Sequence, residues 1–279
     1  MNADLTFIGN ATVLLRIGDF TLLTDPAFGP AGSRVGLGWG MWTRRLRAPA
    51  LDALAGADLD AVLLSHLHGD HFDRAARQTL DADLTILTTP QAERRLRRGR
   101  FWAVRGLPTW ESYEMTRGDQ RLRVTAVPGR HGPGIADRLL PDVMGSVLEF
   151  TAGGQTRLTL YITGDTLFRP GLAEIPERFG GIDAMLIHLG GTRVLGLLVT
   201  MDDRQGAELT GLIRPGRTVP IHNDDYRVQK SPLDRFLTRA RDLGLPGIQP
   251  VARGEMIHLP LHSPAVSHER EQNPGLSDG

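Results

Sequence analysis

One segment constrains this chain more than any other, because it ends an apolar run in a cluster of potential metal ligands. Residues 66–71 read His-Leu-His-Gly-Asp-His and follow the run Ala61–Leu64, which is typical of a buried strand. Side chains of this kind, held together on one turn, repel one another and lose water unless a cation binds them. Neutral imidazole and carboxylate are good ligands for zinc-like cations. The segment therefore predicts a metal site at the end of a strand.

The spacing within the segment suits a pair of ions. His66 and His68 are two positions apart, so in an extended segment both side chains point the same way and can reach one ion. Gly69 permits a sharp turn, after which Asp70 and His71 can reach a second ion beside the first. The competing interpretation is a solvated polar turn with no ligand role.

Further candidate ligands follow other predicted strands. The runs and the polar residues that follow them are Arg121–Val127 with His131, Leu158–Ile162 with Asp165, and Thr218–Ile221 with His222. The loop around His131 is bracketed by Gly and Pro, which suits a ligand held in a fixed position. Polar residues commonly end strands, so each of the three alone has an ordinary structural explanation. Their shared position at strand ends favours one common site.

The pattern of apolar runs predicts a mixed α/β chain. Gly18-Asp19 and residues 152–155 are hairpin signals between short strands, and each set of such strands is followed by alternating strands and helices. A chain of this kind fits two sheets packed face to face with helices outside. The predicted helices are Asp73–Leu80 with Asp73 as N-cap, Gln91–Arg98, Pro170–Phe179, Asp202–Ile213 and Pro232–Leu243. Residues 29–50 are predicted to form a long loop, and Gly247–Val251 the last strand.

Composition excludes several kinds of chemistry. The 279 residues include no cysteine, which excludes disulfides, thiolate metal sites and cysteine nucleophiles. The formal net charge is zero, so the whole molecule offers no general attraction to nucleic acid or anionic lipid. We therefore expect a small-molecule substrate as the partner.

The organisation of the chain is expected to be simple. The N-terminus has no signal-peptide pattern and no apolar run is long enough to span a bilayer, so a cytoplasmic location is expected. Residues 1–261 are expected to form a single domain. The polar tail 262–279 is expected to be disordered. The oligomeric state is left open.

Taken together, these motifs resemble the metallo-β-lactamase superfamily over about residues 5–258. The resemblance is carried by Thr24-Asp25-Pro26, the 66–71 segment, His131, Gly164-Asp165-Thr166 and Pro220-Ile221-His222. Within the superfamily the chain is similar to the branch that contains the ascorbate-phosphate lactonase and the N-acyl-phosphatidylethanolamine phospholipase D. The opening residues 8–14 resemble theirs, with Asn10 where those proteins usually have His.

The resemblance implies an α/β fold, a four-layer αββα sandwich with metal ions at one edge of its two sheets. It assigns His66, His68 and His131 to a first ion, Asp70, His71 and His222 to a second ion, and Asp165 to a bridge between them. Asp25 is expected to orient a histidine ligand through a hydrogen bond. The fold says little about the substrate, because one fold hosts many reactions.

The ligand set predicts metal-dependent hydrolysis. Two neighbouring divalent cations hold a hydroxide near neutral pH, and this hydroxide attacks a carbonyl or phosphoryl centre. Asp70 is the candidate catalytic residue, because it can orient the nucleophile or carry its proton. Zinc is the first choice for both ions, with manganese or iron as alternatives. Related redox di-iron sites have Glu where this chain has His68.

Three classes of function remain open at this point. The first is a hydrolase of a small ester, lactone or phosphorylated substrate, for which His188 and Arg193 are candidate pocket residues. The second is a phosphodiesterase acting on lipid or nucleic acid, which needs a basic or apolar surface. The candidate for that surface is the 29–50 segment with Trp39, Trp42, Arg44, Arg45 and Arg47. The third is a non-catalytic metal-binding regulatory protein, against which the complete ligand set argues.

Overall fold

Two large β-sheets form the centre of the fold. The computed structural model describes residues 1–38, 40–134, 137, 140–194 and 196–262. The strands are β1 (Ala3–Gly9), β2 (Thr12–Ile17), β3 (Phe20–Thr24), β4 (Arg34–Gly38), β5 (Met41–Arg44), β6 (Ala61–Leu63), β7 (Thr85–Thr88), β8 (Val104–Gly106), β9 (Ser112–Arg117), β10 (Gln120–Pro128), β11 (Met144–Ala152), β12 (Gln155–Ile162), β13 (Ala184–His188), β14 (Arg193–Val194), β15 (Leu197–Leu198), β16 (Arg217–Ile221) and β17 (Met256–His258).

Each large sheet combines an antiparallel part with a parallel part. The first has the order β17-β1-β2-β3-β6-β7-β8, antiparallel from β17 to β3 and parallel from β3 to β8. The second has the order β16-β13-β12-β11-β10-β9, antiparallel from β9 to β12 and parallel from β12 to β16. The carboxyl ends of parallel strands lie at the same edge of a sheet. Residues that follow these strands are therefore brought together.

Helices cover the outer faces of both sheets. They are α1 (Arg74–Thr79), α2 (Pro90–Leu96), α3 (Glu174–Phe179), α4 (Asp203–Ile213) and α5 (Leu233–Asp242), with short 3-10 helices at Leu51–Leu54 and Pro170–Ala173. Side chains alternate between the two faces of a strand, so Leu148 of β11 packs between the sheets and Val147 packs under the helices. The apolar clusters on either side of each sheet give four layers, which confirms the predicted αββα sandwich.

Local signals placed most elements correctly. Both predicted hairpins are present, between β2 and β3 and between β11 and β12. The predicted cap at Asp73 is confirmed, because its Oδ1 accepts a hydrogen bond of 2.8 Å from the backbone N–H of Ala76. The predicted helices match α1 to α5 within a few residues, except that the segment predicted from Pro170 begins as a 3-10 turn.

Two predictions were wrong. Residues 29–50 contain the antiparallel hairpin β4–β5 instead of an irregular loop. In the glycine-rich β4, buried Val35 and Leu37 alternate with exposed residues, but glycine is depleted in strands and weakens this signal in the sequence. The β4 backbone is ordered by pairing with β5 and by Gly36 O, which accepts from Gly69 N–H at 2.9 Å. Residues Gly247–Val251 form only an isolated bridge to Thr218, since Pro250 cannot donate to a ladder. The last strand is β17, which pairs with β1.

Parts of two predictions lie outside the described residues. These are Trp39 and the tail beyond His262, whose own N–H donates to the carbonyl of Arg157. Within the part of the chain that the structure describes, no helix is long and apolar enough to cross a membrane.

A buried ion cluster ties the β4–β5 hairpin to the rest of the molecule. Asp225 is fully buried and accepts hydrogen bonds from Arg45 at 3.2 Å, from Arg253 at 3.0 Å and from the N–H of Asn10 at 2.6 Å. Arg45 also donates to the carbonyl of Ala27 at 2.6 Å. Arg45 is therefore a buried structural residue, and including it in the basic surface suggested for a phosphodiesterase was wrong.

Replacing Asp225 by alanine is expected to destabilise the protein by about 3–5 kcal/mol. The substitution leaves the Arg45 guanidinium buried without its counter-charge, which costs more than the pair itself contributes. The free energy of unfolding from urea titrations measures the effect. Asp224→Ala is the matched control, because this neighbouring carboxylate is half-exposed and pairs with Arg47 at the surface. Its loss is expected to cost less than about 1 kcal/mol. Equal losses for the two variants would contradict the structural role of the cluster.

Candidate metal centre

One edge of the sandwich collects the polar residues that follow the central strands of both sheets. Asp25 follows β3 and the 66–71 segment follows β6 in the first sheet. In the second sheet, His131 follows β10, Asp165 follows β12, His188 ends β13 and His222 follows β16. All of these side chains are almost fully buried. The edge therefore concentrates imidazoles and carboxylates where water is scarce.

Three imidazole nitrogens meet in what we call the first triad. It consists of His66, His68 and His131. The Nε2 atom of His66 lies 3.0 Å from Nδ1 of His68, and Nε2 of His131 lies 3.1 Å from the same atom. Three converging nitrogens that can each offer a lone pair form a geometry able to hold one metal ion.

A second triad lies beside the first and contains a carboxylate. It consists of Asp70, His71 and His222. The Nε2 atoms of His71 and His222 are 3.2 Å apart, and Oδ2 of Asp70 lies 3.4 Å from Nε2 of His222. Asp165 connects the two triads, because its carboxylate lies close to ligand nitrogens of both His66 and His71. Its Oδ2 lies 3.3 Å from Nε2 of His71.

Hydrogen bonds on the far side of the rings fix which nitrogen faces inward. The Nδ1 atoms concerned are those of His66 toward Ser65 Oγ at 3.0 Å, His71 toward Asp25 Oδ2 at 3.3 Å, His131 toward Val199 O at 2.9 Å and His222 toward Leu189 O at 3.0 Å. Carbonyl and carboxylate oxygens only accept, and the Ser65 hydroxyl donates its one proton to Asp25, so these Nδ1 atoms carry the proton. Nε2 is then left as the inward lone pair, which is the usual arrangement behind metal-binding histidines.

Asp25 is the centre of this outer layer. Its Oδ1 accepts from the backbone N–H of Ser65 at 2.7 Å and from the Ser65 hydroxyl at 2.9 Å. Its Oδ2 faces Nδ1 of His71 and, at 3.6 Å, Nε2 of His188. Burial opposes ionisation of Asp25, but the nearby His71 and His188 outweigh it, so the pKa of Asp25 lies below its ordinary value. Asp25 is therefore a buried carboxylate placed to orient His71.

The two triads differ in how firmly they hold protons. Burial and neighbouring imidazoles hold the pKa of His66 well below its ordinary value and lower the pKa of His68 to about 3. Burial also lowers the pKa of His131. At His71 and His222 burial acts in the same direction, but nearby carboxylates, Asp165 first, outweigh it and raise both pKa values. Without a cation, the first triad therefore binds protons less readily than ordinary histidines do, and the two histidines of the second triad bind them more readily.

The donor set fits divalent cations. Oδ1 of Asp70 and Oδ1 of Asp165 are buried side-chain oxygens that have no hydrogen-bond partner within the described part of the chain. Buried polar atoms are rarely left in this state, so such atoms call for an ion or a water. Imidazole nitrogens together with carboxylate oxygens, in the absence of thiolates, suit zinc and similar first-row ions.

The structure brings together most of the residues singled out from the sequence. His66, His68, Asp70, His71, His131, Asp165 and His222 converge, and Asp25 contacts His71. His188 lies in the same buried cluster, where it faces Asp25 and hydrogen-bonds Thr163 at 3.2 Å. Arg193 is exposed and does not belong to the buried cluster; it donates to the carbonyl of Gly196 and faces Asp202 at 3.9 Å.

Sequence reasoning missed two supporting residues. Ser65 was not singled out, although it immediately precedes the histidine segment. Asn10 was noted only as a departure from related sequences, yet it is fully buried with a positive φ of 54°. Its side-chain amide donates to the carbonyl of Asp70 at 2.8 Å, and its own carbonyl accepts from the N–H of His222 at 2.9 Å. Asn10 therefore holds the backbone of two residues of the second triad.

Comparison with known proteins agrees with this geometry. Residues 21–223 match the family model of the β-lactamase superfamily domain. A UPF0173 metal-dependent hydrolase of Anaeromyxobacter dehalogenans is 31% identical over 234 residues, which cover 78% of this chain and 74% of that protein. A UPF0173 metal-dependent hydrolase of Carboxydothermus hydrogenoformans is 26% identical over 91% of this chain and 99% of its own length.

A solved structure shows the same fold. The isothiocyanate hydrolase from Delia radicum gut bacteria superposes with a TM-score of 0.77 at 24% identity, over 92% of this chain and 99% of that one. The chain belongs to the β-lactamase superfamily and, within it, to the UPF0173 family of metal-dependent hydrolases.

Proposed function

We propose that this chain is a hydrolase that uses two divalent cations on a small ester, lactone or phosphorylated substrate. In this proposal His66, His68 and His131 hold the first ion, Asp70, His71 and His222 hold the second, and Asp165 reaches both. One observation carries the proposal, namely the convergence of two complete triads of buried ligand atoms at a single edge of the sandwich. Zinc is the first choice of metal, with manganese or iron as alternatives.

The chain's own residues have separate tasks in this chemistry. When bound, neighbouring cations lower the pKa of water and polarise a carbonyl or phosphoryl oxygen. Asp25, Ser65 and the carbonyls behind the rings hold each imidazole with its lone pair inward. Asp70 is the candidate proton carrier, because its Oδ2 faces His222 while its Oδ1 has no partner among the described residues. The buried surroundings exclude bulk water from these groups.

Burial of the centre favours a small substrate over a polymer. Each proposed ligand is at most 7% exposed, so only a small reacting group reaches it at one time. A non-catalytic regulatory role is disfavoured, because neither triad lacks a member. The phosphodiesterase alternative would need a long basic surface, and two of the arginines suggested for it, Arg45 and Arg47, are paired with Asp225 and Asp224.

Replacing His68 by alanine is expected to remove the first ion and hydrolytic activity together. The purified wild-type protein, grown in metal-replete medium, should contain two divalent ions per chain, and the variant at most one, by elemental analysis. Hydrolysis of a panel of lactones and esters should be sensitive to chelator in the wild-type protein. In the variant it should be at least about a hundredfold slower than in the wild type. His258→Ala is the matched control, because this histidine is largely exposed and contacts Asp4 at the surface. A wild-type protein free of divalent metal, or a His68→Ala variant with full metal content, would overturn the proposal.

As pH decreases, the metal affinity of the second triad is expected to fall more steeply than that of the first triad. Because the pKa values of His71 and His222 are raised and those of His66 and His68 are lowered, an ion must displace more protons from the second triad than from the first. His131→Ala leaves the second triad intact, and His222→Ala leaves the first. Calorimetry in two buffers of different ionisation enthalpy, between about pH 6 and pH 8, counts the released protons. Equal proton release by the two variants would contradict the assignment.

Replacing Asp25 by asparagine is expected to weaken the second ion selectively. The substitution removes the negative charge that orients His71, and loss of such a partner typically lowers metal affinity about 10- to 100-fold. Competition with a chromogenic chelator measures both affinities, and circular dichroism checks the fold. Asp224→Asn serves as the control for charge removal at a half-exposed site. An unchanged second affinity would show that Asp25 does not orient His71.

A further inference from the structure

A cationic cavity lies beside the β4–β5 hairpin, away from the proposed ligands. We call it the Trp42 cavity. Its volume is about 440 Å³, and it is lined by Trp42, Thr43, Arg44, Arg227, Val228 and Lys230. Half of these lining residues are cations and none is acidic. In a chain with zero net charge, such a concentration of one sign is a local feature that favours an anion.

The cations of the cavity are free to meet a ligand. Arg44, Arg227 and Lys230 are exposed, and no carboxylate pairs with them within the part of the chain that the structure describes. The neighbouring Arg45 and Arg47, by contrast, are paired with Asp225 and Asp224. Of these three neighbouring arginines, Arg45 and Arg47 are therefore paired within the protein, whereas Arg44 faces the cavity.

An aromatic surface completes the cavity. Trp42 is 54% exposed, which is unusual for so large an apolar side chain. The Arg34 guanidinium stacks on its ring at 4.2 Å from the centroid and adds a further positive charge. An indole held by an arginine is a ready surface for an apolar or planar part of a small molecule.

The same hairpin reaches the metal centre. Gly38 is so placed that an added Cβ would lie 4.0 Å from Nε2 of His68. This nitrogen is buried, points away from the first triad and has no partner among the described residues. Gly38 pairs with Met41, and at about 3.3 Å per residue Arg44 lies about 10 Å further along β5. On its other side the cavity is bounded by the segment that begins at His222, since Arg227 N–H donates to Arg44 O.

We propose that the Trp42 cavity binds the anionic end of the substrate while its scissile bond lies at the metal centre. The substrate class is then an ester or lactone whose carboxylate or phosphate is joined to the cleaved bond by an apolar spacer that lies on Trp42. This inference rests on the proposed hydrolase function and narrows its substrate. The cavity is of small-molecule size, and the Asp224 and Asp225 pairs beside it interrupt the positive surface that a nucleic acid would need.

The test compares two esters that differ only in the terminal charge, 4-nitrophenyl hydrogen suberate and 4-nitrophenyl octanoate. Arg44→Gln and Lys230→Met are each expected to raise KM for the suberate ester about tenfold. KM for the octanoate ester, and kcat for both esters, should stay within about twofold of the wild-type values. KM for the suberate alone should rise with salt. Arg94→Gln is the matched control, because Arg94 is an exposed arginine on α2.

Binding is measured separately from turnover. The metal-loaded protein is titrated calorimetrically with free suberate, the dicarboxylate without the nitrophenyl group. Its affinity should fall about tenfold in Arg44→Gln and Lys230→Met, while the metal content stays at the wild-type level. If neither ester is hydrolysed although metal is bound, the proposed function fails, and the titration still decides whether the cavity binds the anion.

Two results would overturn the inference. One is an equal effect of the variants on the suberate and the octanoate, which would mean that the terminal charge is not recognised. The other is that a single-stranded oligonucleotide or vesicles containing phosphatidylserine bind the wild-type protein and lose affinity in the two variants, while suberate does not bind. The surface would then serve a macromolecule.

Discussion

Compensation between buried carboxylates and buried imidazoles is the interaction on which this molecule depends. Removing a charged group from water is costly unless a partner or a cation accompanies it. Asp25, Asp70 and Asp165 lie among six histidines at one edge of the sandwich, and Ser65 and two backbone carbonyls hydrogen-bond further atoms of these groups. The few oxygens left without a partner mark where an ion fits. The parallel strands of both sheets end at this edge, so the residues that follow them lie close together.

Much of this site could be anticipated because its signals are local. The 66–71 segment contains its ligands in consecutive positions, and the remaining ligands follow recognisable strands. The cap at Asp73 and both hairpins also depend on neighbouring residues. Such features need no knowledge of the tertiary structure.

The remaining features depend on contacts between distant parts of the chain. The β4–β5 hairpin is glycine-rich, which weakens its strand signal, and its order depends on Gly69 and on the Arg45–Asp225 pair, which joins positions 180 residues apart. Asn10 acts through backbone groups of Asp70 and His222, which no short motif records. Arg227 and Lys230 join Arg44 only after folding. Local sequence patterns are silent about all of these contacts.

The division of the triads between the sheets has a mechanical consequence. His66 and His68 come from the first sheet and His131 from the second; Asp70 and His71 come from the first sheet and His222 from the second. Neither half of the sandwich can complete a triad alone. Any cation held there is a crosslink between the halves, so occupancy and cohesion form a single thermodynamic linkage. A chelator would therefore weaken the contact between the two sheets as well as abolish the proposed hydrolysis.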